Sequence, residues 1–314
     1  MQATQKTRRC NRFTRKRIIE IMLKKWFAAI FVLCALIYGC VTTPVSENSA
    51  LILIPFSQEV SLGKQAFGEI LQKETLSTNA RLQTVVERVG RRLVIETSMA
   101  DLDWEFKLFA SNQMNAFALP GGKVGVYEGI LPVCSNEAGL AAVLGHEIAH
   151  AVARHGAQRM SQQLLITGAL AASSVTLSDN KNRGMILGAL GIGAQYGVTL
   201  PFSRGNESEA DEIGVIYMAK AGYDPREAMR FWQRFSSMKG GGQPPEFLST
   251  HPADERRVRD IEQLLPEAMR IYNAHPNKQG LGESFLYIMN EERLKNPGGM
   301  RKGQMGDDPR NPAR

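Results

Sequence analysis

Apolar positions divide the chain into helical and strand-like stretches. Between Gln58 and Glu96, Val60, Leu62, Phe67, Ile70 and Leu71 recur at helical spacing; after a polar gap, Leu82, Val85, Val86, Val89, Leu93 and Val94 do so again. Two amphipathic helices are predicted there. Trp104 to Ala110 alternates as a strand does, and Val124, Val126 and Tyr127 have strand character after the turn sequence Pro120-Gly121-Gly122. A small sheet from 104–110 and 124–128 follows. Leu140, Val143, Leu144 and Ile148 form another helical stripe, started by Ser135 or Asn136 with Glu137 in its first turn. Between Leu164 and Leu200, two runs rich in Ala, Gly, Leu and Ile flank a polar break at Ser178 to Arg183. Each run is shorter than the roughly 20 residues of a bilayer span, which favours a packed helical hairpin over a membrane-touching lid. The predicted class is α+β, mainly helical. One domain is expected over 58–275, after a linker at 40–57 and before an extension at 276–314 whose tail, Asn296 to Arg314, is rich in Gly, Pro and charge and is expected to be disordered.

Charge separates the amino terminus from the rest. The chain carries 38 basic and 31 acidic residues, a formal net charge of +7. Nine of the bases and a single acid, Glu20, lie in residues 1–39, which leaves 29 bases against 30 acids. The basic excess therefore belongs to the leader and predicts membrane targeting, with no nucleic-acid partner. Lys24 and Lys25, the apolar stretch Trp26 to Ile37 and then Tyr38-Gly39-Cys40 read as a bacterial lipoprotein signal, with Cys40 acylated as the first mature residue and Met22 as an alternative start. On this reading the protein is held to the membrane through Cys40 in a cell envelope, at an outer membrane facing the periplasm. Cys10 and Cys34 would leave with the leader, so Cys134 would stand alone, packed beside Leu131 and Val133 with no disulfide.

The chemistry lies in His146-Glu147-Ile148-Ala149-His150. On a helix the two histidines share a face one turn apart and can grip one zinc ion while Glu147 points at its open side. A catalytic site needs a third protein ligand. Ala153 and Gly156 stand where a metzincin has Gly and His, which excludes that class. His155, five residues past His150, is read as structural or surface. Glu207 and Asp211, four apart, share a face of a second acidic helix, so one can bind metal while the other orients a ligand imidazole. Glu209 and Glu212 are expected to point elsewhere, into solvent.

HEIAH, then SRGNESEAD, then STHPADERR resemble, in that order, the membrane-associated zinc metalloendopeptidases with HExxH and ExxxD motifs, a family that includes HtpX, the CAAX prenyl protease, BepA and LoiP. The likeness runs from about Gln58 to about Leu264. It implies a zincin-type domain with one Zn2+ per chain held by His146, His150 and Glu207, Glu147 as general base, and Asp211 orienting an imidazole. It also gives roles to two further motifs. Asn115 to Gly122, with Lys123 to Tyr127, resembles the family's NAFALPGG turn and following strand, so Asn115, Gly122, Val124 and Val126 are expected to receive an extended substrate along an open strand edge. His251-Pro252 and Arg257 resemble the HP motif and its arginine; His251 would close the metal site or, with Arg257, steady the developing oxyanion. The function expected from the resemblance is cleavage of unfolded or misassembled envelope proteins in quality control. The alternative is a chaperone or assembly factor with a latent site, working with outer-membrane assembly machinery. Too few residues follow Arg257 for the helical-repeat domain of BepA.

Overall fold

The computed structural model describes residues 22–26, 40–43, 46–167, 180–190, 202–237, 246–252, 255–280, 282 and 284–295. Most of the expected leader, the start of the polar break at Ser178 and the tail from Asn296 lie outside them. The architecture is α+β and mainly helical, built around a three-stranded sheet.

Both amino-terminal helices form where the apolar stripes lie. Helix α1 (Phe56–Lys73) buries Leu62, Ala66, Phe67 and Ile70, and α2 (Ala80–Ile95) buries Leu82, Val85, Val86, Val89, Leu93 and Val94. Asn79 caps α2 by accepting a hydrogen bond from the Leu82 amide at 3.0 Å. The segment expected to be a linker is folded instead: strands β1 (Cys40–Thr42) and β2 (Ser49–Leu51) pair antiparallel, and Ile52 and Ile54 are buried beside α1.

Strands β3 (Glu105–Phe109) and β5 (Lys123–Tyr127) pair in parallel, and β4 (Ala116–Leu119) pairs antiparallel with β5, so the order is β3-β5-β4. The β4–β5 turn is made by Pro120, Gly121 and Gly122, where both glycines have φ +79°, a region costly for side-chain-bearing residues. Sheet alternation sends Phe106, Leu108, Ala116, Ala118, Val124 and Val126 to one core. Phe109, Phe117, Leu119 and Tyr127 go to a second core with α1. Both faces of the sheet are therefore covered.

The short α3 (Leu131–Cys134) buries the Cys134 thiol. Helix α4 (Glu137–Val152) starts at Asn136, which accepts from the Gly139 amide at 3.0 Å, and runs through the first core. Helices α5 (His155–Thr167) and α6 (Asn180–Ala189) put Met160, Leu164, Ile186, Leu187 and Ala189 into the second core; the rest of the expected hairpin, 168–179 and 191–200, lies outside the described residues. The break expected to run to Arg183 is already helical from Asn180. No helix of the described residues is long and apolar enough to cross a membrane.

Helix α7 (Arg204–Lys220) crosses α4 at two glycines. A Cβ on Gly214 would sit 2.8 Å from both the Gly145 carbonyl carbon and the His146 nitrogen, so the missing side chain permits backbone contact between the two motif-bearing helices. Helices α8 (Arg226–Ser237), α9 (Glu246–Thr250) and α10 (Glu255–Ala274) follow. In α11 (Phe285–Lys295), Phe285 and Ile288 enter the first core, and the Phe285 amide donates to Ser135 O at 2.9 Å. The core thus continues past the expected boundary at 275.

Candidate metal centre

The α4–α7 crossing places His146, Glu147 and His150 opposite Glu207 and Asp211, all buried. His251 comes from the end of α9, its amide donating to Phe247 O at 2.8 Å. The donor atoms of His146, His150, Glu207 and His251 lie within 4.8 Å of one another.

Their separations test whether an ion fits. His146 Nε2 is 3.1 Å from His150 Nε2 and 3.3 Å from His251 Nδ1. Glu207 Oε2 lies 3.4 Å from His146 Nε2, and Glu207 Oε1 lies 3.4 Å from His150 Nε2 and 3.1 Å from His251 Nδ1. Tetrahedral bonds of about 2.0–2.1 Å put neighbouring donors about 3.4 Å apart. Both ligand imidazoles have their other nitrogen occupied: His146 Nδ1 is 2.9 Å from Asp211 Oδ1, and His150 Nδ1 is 2.8 Å from His155 Nδ1. With protons on those Nδ1 atoms, bare Nε2 lone pairs converge on a carboxylate in a buried space, an arrangement that a cation stabilises. Three His and Glu donors with a fourth imidazole could hold a metal ion.

Glu147 is buried with its carboxylate hydrogen-bonded by the Ala118 backbone of β4. Its Oε1 makes no hydrogen bond among the described residues and lies 3.4 Å from His251 Nε2. Burial pushes the Glu147 carboxyl above its ordinary range, against the pull of His251 and His146. The aromatic rings of Phe202 and Phe247 flank His251 at 5.3 Å and 4.6 Å.

Arg257 is placed differently from its expected role at the oxyanion. It grips Asp211 with Nε and Nη2, each at 2.7 Å, pairs with Glu207 Oε2 at 2.7 Å through Nη1, and stacks over Trp232 at 3.7 Å. A guanidinium so engaged fixes both Glu207 and the Asp211 carboxylate behind His146. Burial would raise the Asp211 carboxyl, but the charge and hydrogen bonds of Arg257 hold it below the ordinary value.

The expected substrate edge is also corrected. Val124 and Val126 sit on β5, the central strand, paired on both sides. Gly122 packs against Trp104, and Asn115 is buried with its side chain turned to the Ala116 amide. Hydrophobic alternation gives no strand order, which is why the edge was misplaced. The strand beside Glu147 is β4, its Ala118 amide turned away from β5.

Two residues outside the expected ligand set adjoin the centre. His155 is fully buried: α4 ends at Val152, Arg154 takes φ 57°, and the chain turns back so that the His155 ring meets His150. Arg154 is held there by Glu59, whose Oε2 accepts from Nε at 2.7 Å. Glu209, expected in solvent, is buried and accepts from His155 Nε2 at 3.1 Å and from the hydroxyls of Thr43 and Ser46.

The model of peptidase family M48 matches residues 77–265. The mitochondrial metalloendopeptidase OMA1 of Schizosaccharomyces pombe is 38% identical, over 72% of this chain and 66% of its own length. That of Saccharomyces cerevisiae is 33% identical over 81% and 78% respectively. The beta-barrel assembly-enhancing protease of Escherichia coli (strain K12) is 30% identical over 70% of this chain, which spans 46% of that relative's length. The mitochondrial names overturn the expected bacterial outer-membrane location. The signal reading rested on a basic stretch before a short apolar run, a pattern that charge and hydropathy do not tie to one compartment. The family match, with the buried His-Glu-His helix facing Glu207 and Asp211, identifies the chain as a member of peptidase family M48, a metalloendopeptidase.

Proposed function

We propose that this chain is a zinc-dependent endopeptidase that cuts extended segments of unfolded or misassembled proteins at a membrane, and that it rests in a closed form. The observation that carries the zinc assignment is the set of 3.1–3.4 Å separations among His146, His150, Glu207 and His251. His146, His150 and Glu207 would hold the ion, and when bound, zinc supplies a Lewis acid for the scissile carbonyl and the attacking water. Glu147 accepts the proton from that water and delivers it to the leaving amine. Asp211 holds the Nδ1 of His146, and Arg257 holds Asp211 and Glu207 in place. An extended substrate adds along β4, the strand that touches Glu147.

His251 favours the closed form: its Nδ1 fills a fourth donor position and its Nε2 faces Glu147. A substrate must displace that ring. This closure is also what an assembly factor with a latent site would have, and one relative is named for enhancing β-barrel assembly. The compartments in the names of the OMA1 relatives, and the basic, acid-poor residues 1–21, favour a mitochondrial setting. A chelator-reversible casein assay tests the catalytic reading. Wild type is expected to cut slowly and His251→Ala faster. Zinc-loaded forms that both fail to cut would move the assembly-factor reading ahead.

A further inference from the structure

The two ligand histidines are supported in different ways. His146 Nδ1 meets a carboxylate directly, Asp211 Oδ1 at 2.9 Å. His150 Nδ1 instead meets a second imidazole, His155 Nδ1 at 2.8 Å, and His155 Nε2 then meets Glu209 Oε2 at 3.1 Å. With His150 Nε2 turned to the metal donors, its proton must sit on Nδ1 and be donated to His155. His155 then accepts at Nδ1 and donates from Nε2 to Glu209. One tautomer of each ring satisfies the whole line. Glu209 spends its other oxygen on Thr43 and Ser46, in the β1–β2 hairpin far away in sequence. Two further features point the same way. Arg154 adopts a left-handed conformation, disfavoured for a residue with a side chain, at the turn that carries His155 back to His150. His155 is also fully buried, so its two nitrogens are spent on this line.

We propose that His155 and Glu209 are positioning residues for the metal ligand His150, and that the amino-terminal hairpin completes this support through Thr43 and Ser46. The inference rests on the metal site proposed above. A carboxylate at the end of the line draws on the His150 N–H, raises the basicity of its Nε2 and fixes the ring. Metal affinity thereby depends on a segment outside the two motif helices.

The test is zinc(II) affinity of the full chain, measured by competition with a chromophoric chelator, alongside unfolding of the metal-free protein. His155→Leu, which removes both nitrogens, is expected to weaken zinc about 10- to 100-fold. His155→Gln, which can accept from His150 and donate to Glu209, should recover most of that loss, a rescue that a packing role alone does not give. Thr43→Ala with Ser46→Ala changes no member of either apolar core and should shift affinity in the same direction by less; it serves if His155→Leu does not fold. Folded variants with affinity within twofold of wild type, or His155→Gln as weak as His155→Leu, would overturn the proposal. Failure of wild type to bind zinc would instead sink the metal site itself.

Discussion

Replacing Gly214 with alanine should damage the protein at the point where the two motif helices touch. The added Cβ would lie 2.8 Å from Gly145 C and His146 N and 3.0 Å from Gly145 O, whereas relaxed carbon contacts sit at about 3.5–4.0 Å. The helices must part by roughly 0.7 Å, because every atom met is backbone and no rotamer offers escape. Overpacking of this kind costs about 1–3 kcal/mol, offset by the roughly 1 kcal/mol that alanine contributes over glycine inside a helix. The same shift moves His146 away from Glu207 and Asp211, and metal sites tolerate only about 0.2 Å in ligand distance. Zinc affinity should therefore fall more than stability does. Gly68 supplies the control: in α1 nothing lies within 4 Å of its Cβ position, so Gly68→Ala should raise stability by about 0.5–1 kcal/mol. Urea unfolding of the metal-free proteins and chelator competition read both quantities. A Gly214→Ala protein as stable as Gly68→Ala, with wild-type zinc affinity, would refute the close-crossing argument.

Arg257→Leu removes the cation that pairs Asp211 and Glu207 in a buried setting, and the metal-free protein should lose about 3–5 kcal/mol in urea unfolding; a loss under 1 kcal/mol would contradict that pairing. Glu59 is raised from 4.5 to about 7 by burial, which outweighs the charge and hydrogen bond of Arg154. The folded state then holds a proton that the unfolded state has released between those values, so stability is lost as pH rises from 4.5 to 7, by on the order of 3 kcal/mol. Glu59→Gln should flatten that slope, and an unchanged slope would assign it elsewhere. Phe285→Ala should cost about 3–5 kcal/mol if α11 belongs to the core; a neutral result would return residues 276–295 to the status of an appendage.

What could be read from the chain follows physical range. Helix α4 and its cap were visible because Asn136, Glu137 and the apolar stripe are local signals. The four-apart spacing of Glu207 and Asp211 likewise put both on the face that meets α4. Strand β4 was hidden because all four of its residues are buried and apolar, so it shows no alternation, and the Pro-Gly-Gly turn beside it dominated the reading. His155 lies off the ligand face, as a structural histidine would, but its contact with His150 was not legible, because the left-handed turn that makes it falls on Arg154, which carries no glycine signal. Glu209 looked solvated because its hydroxyl partners lie more than 160 residues away.

The most direct measurement is zinc content and casein cleavage of the purified full chain, for wild type and Glu147→Gln, each also with His251→Ala to open the site. The account predicts one zinc per chain in all four proteins and cleavage only where Glu147 is intact. A folded protein without zinc, or Glu147→Gln cutting at the rate of its parent, would contradict it.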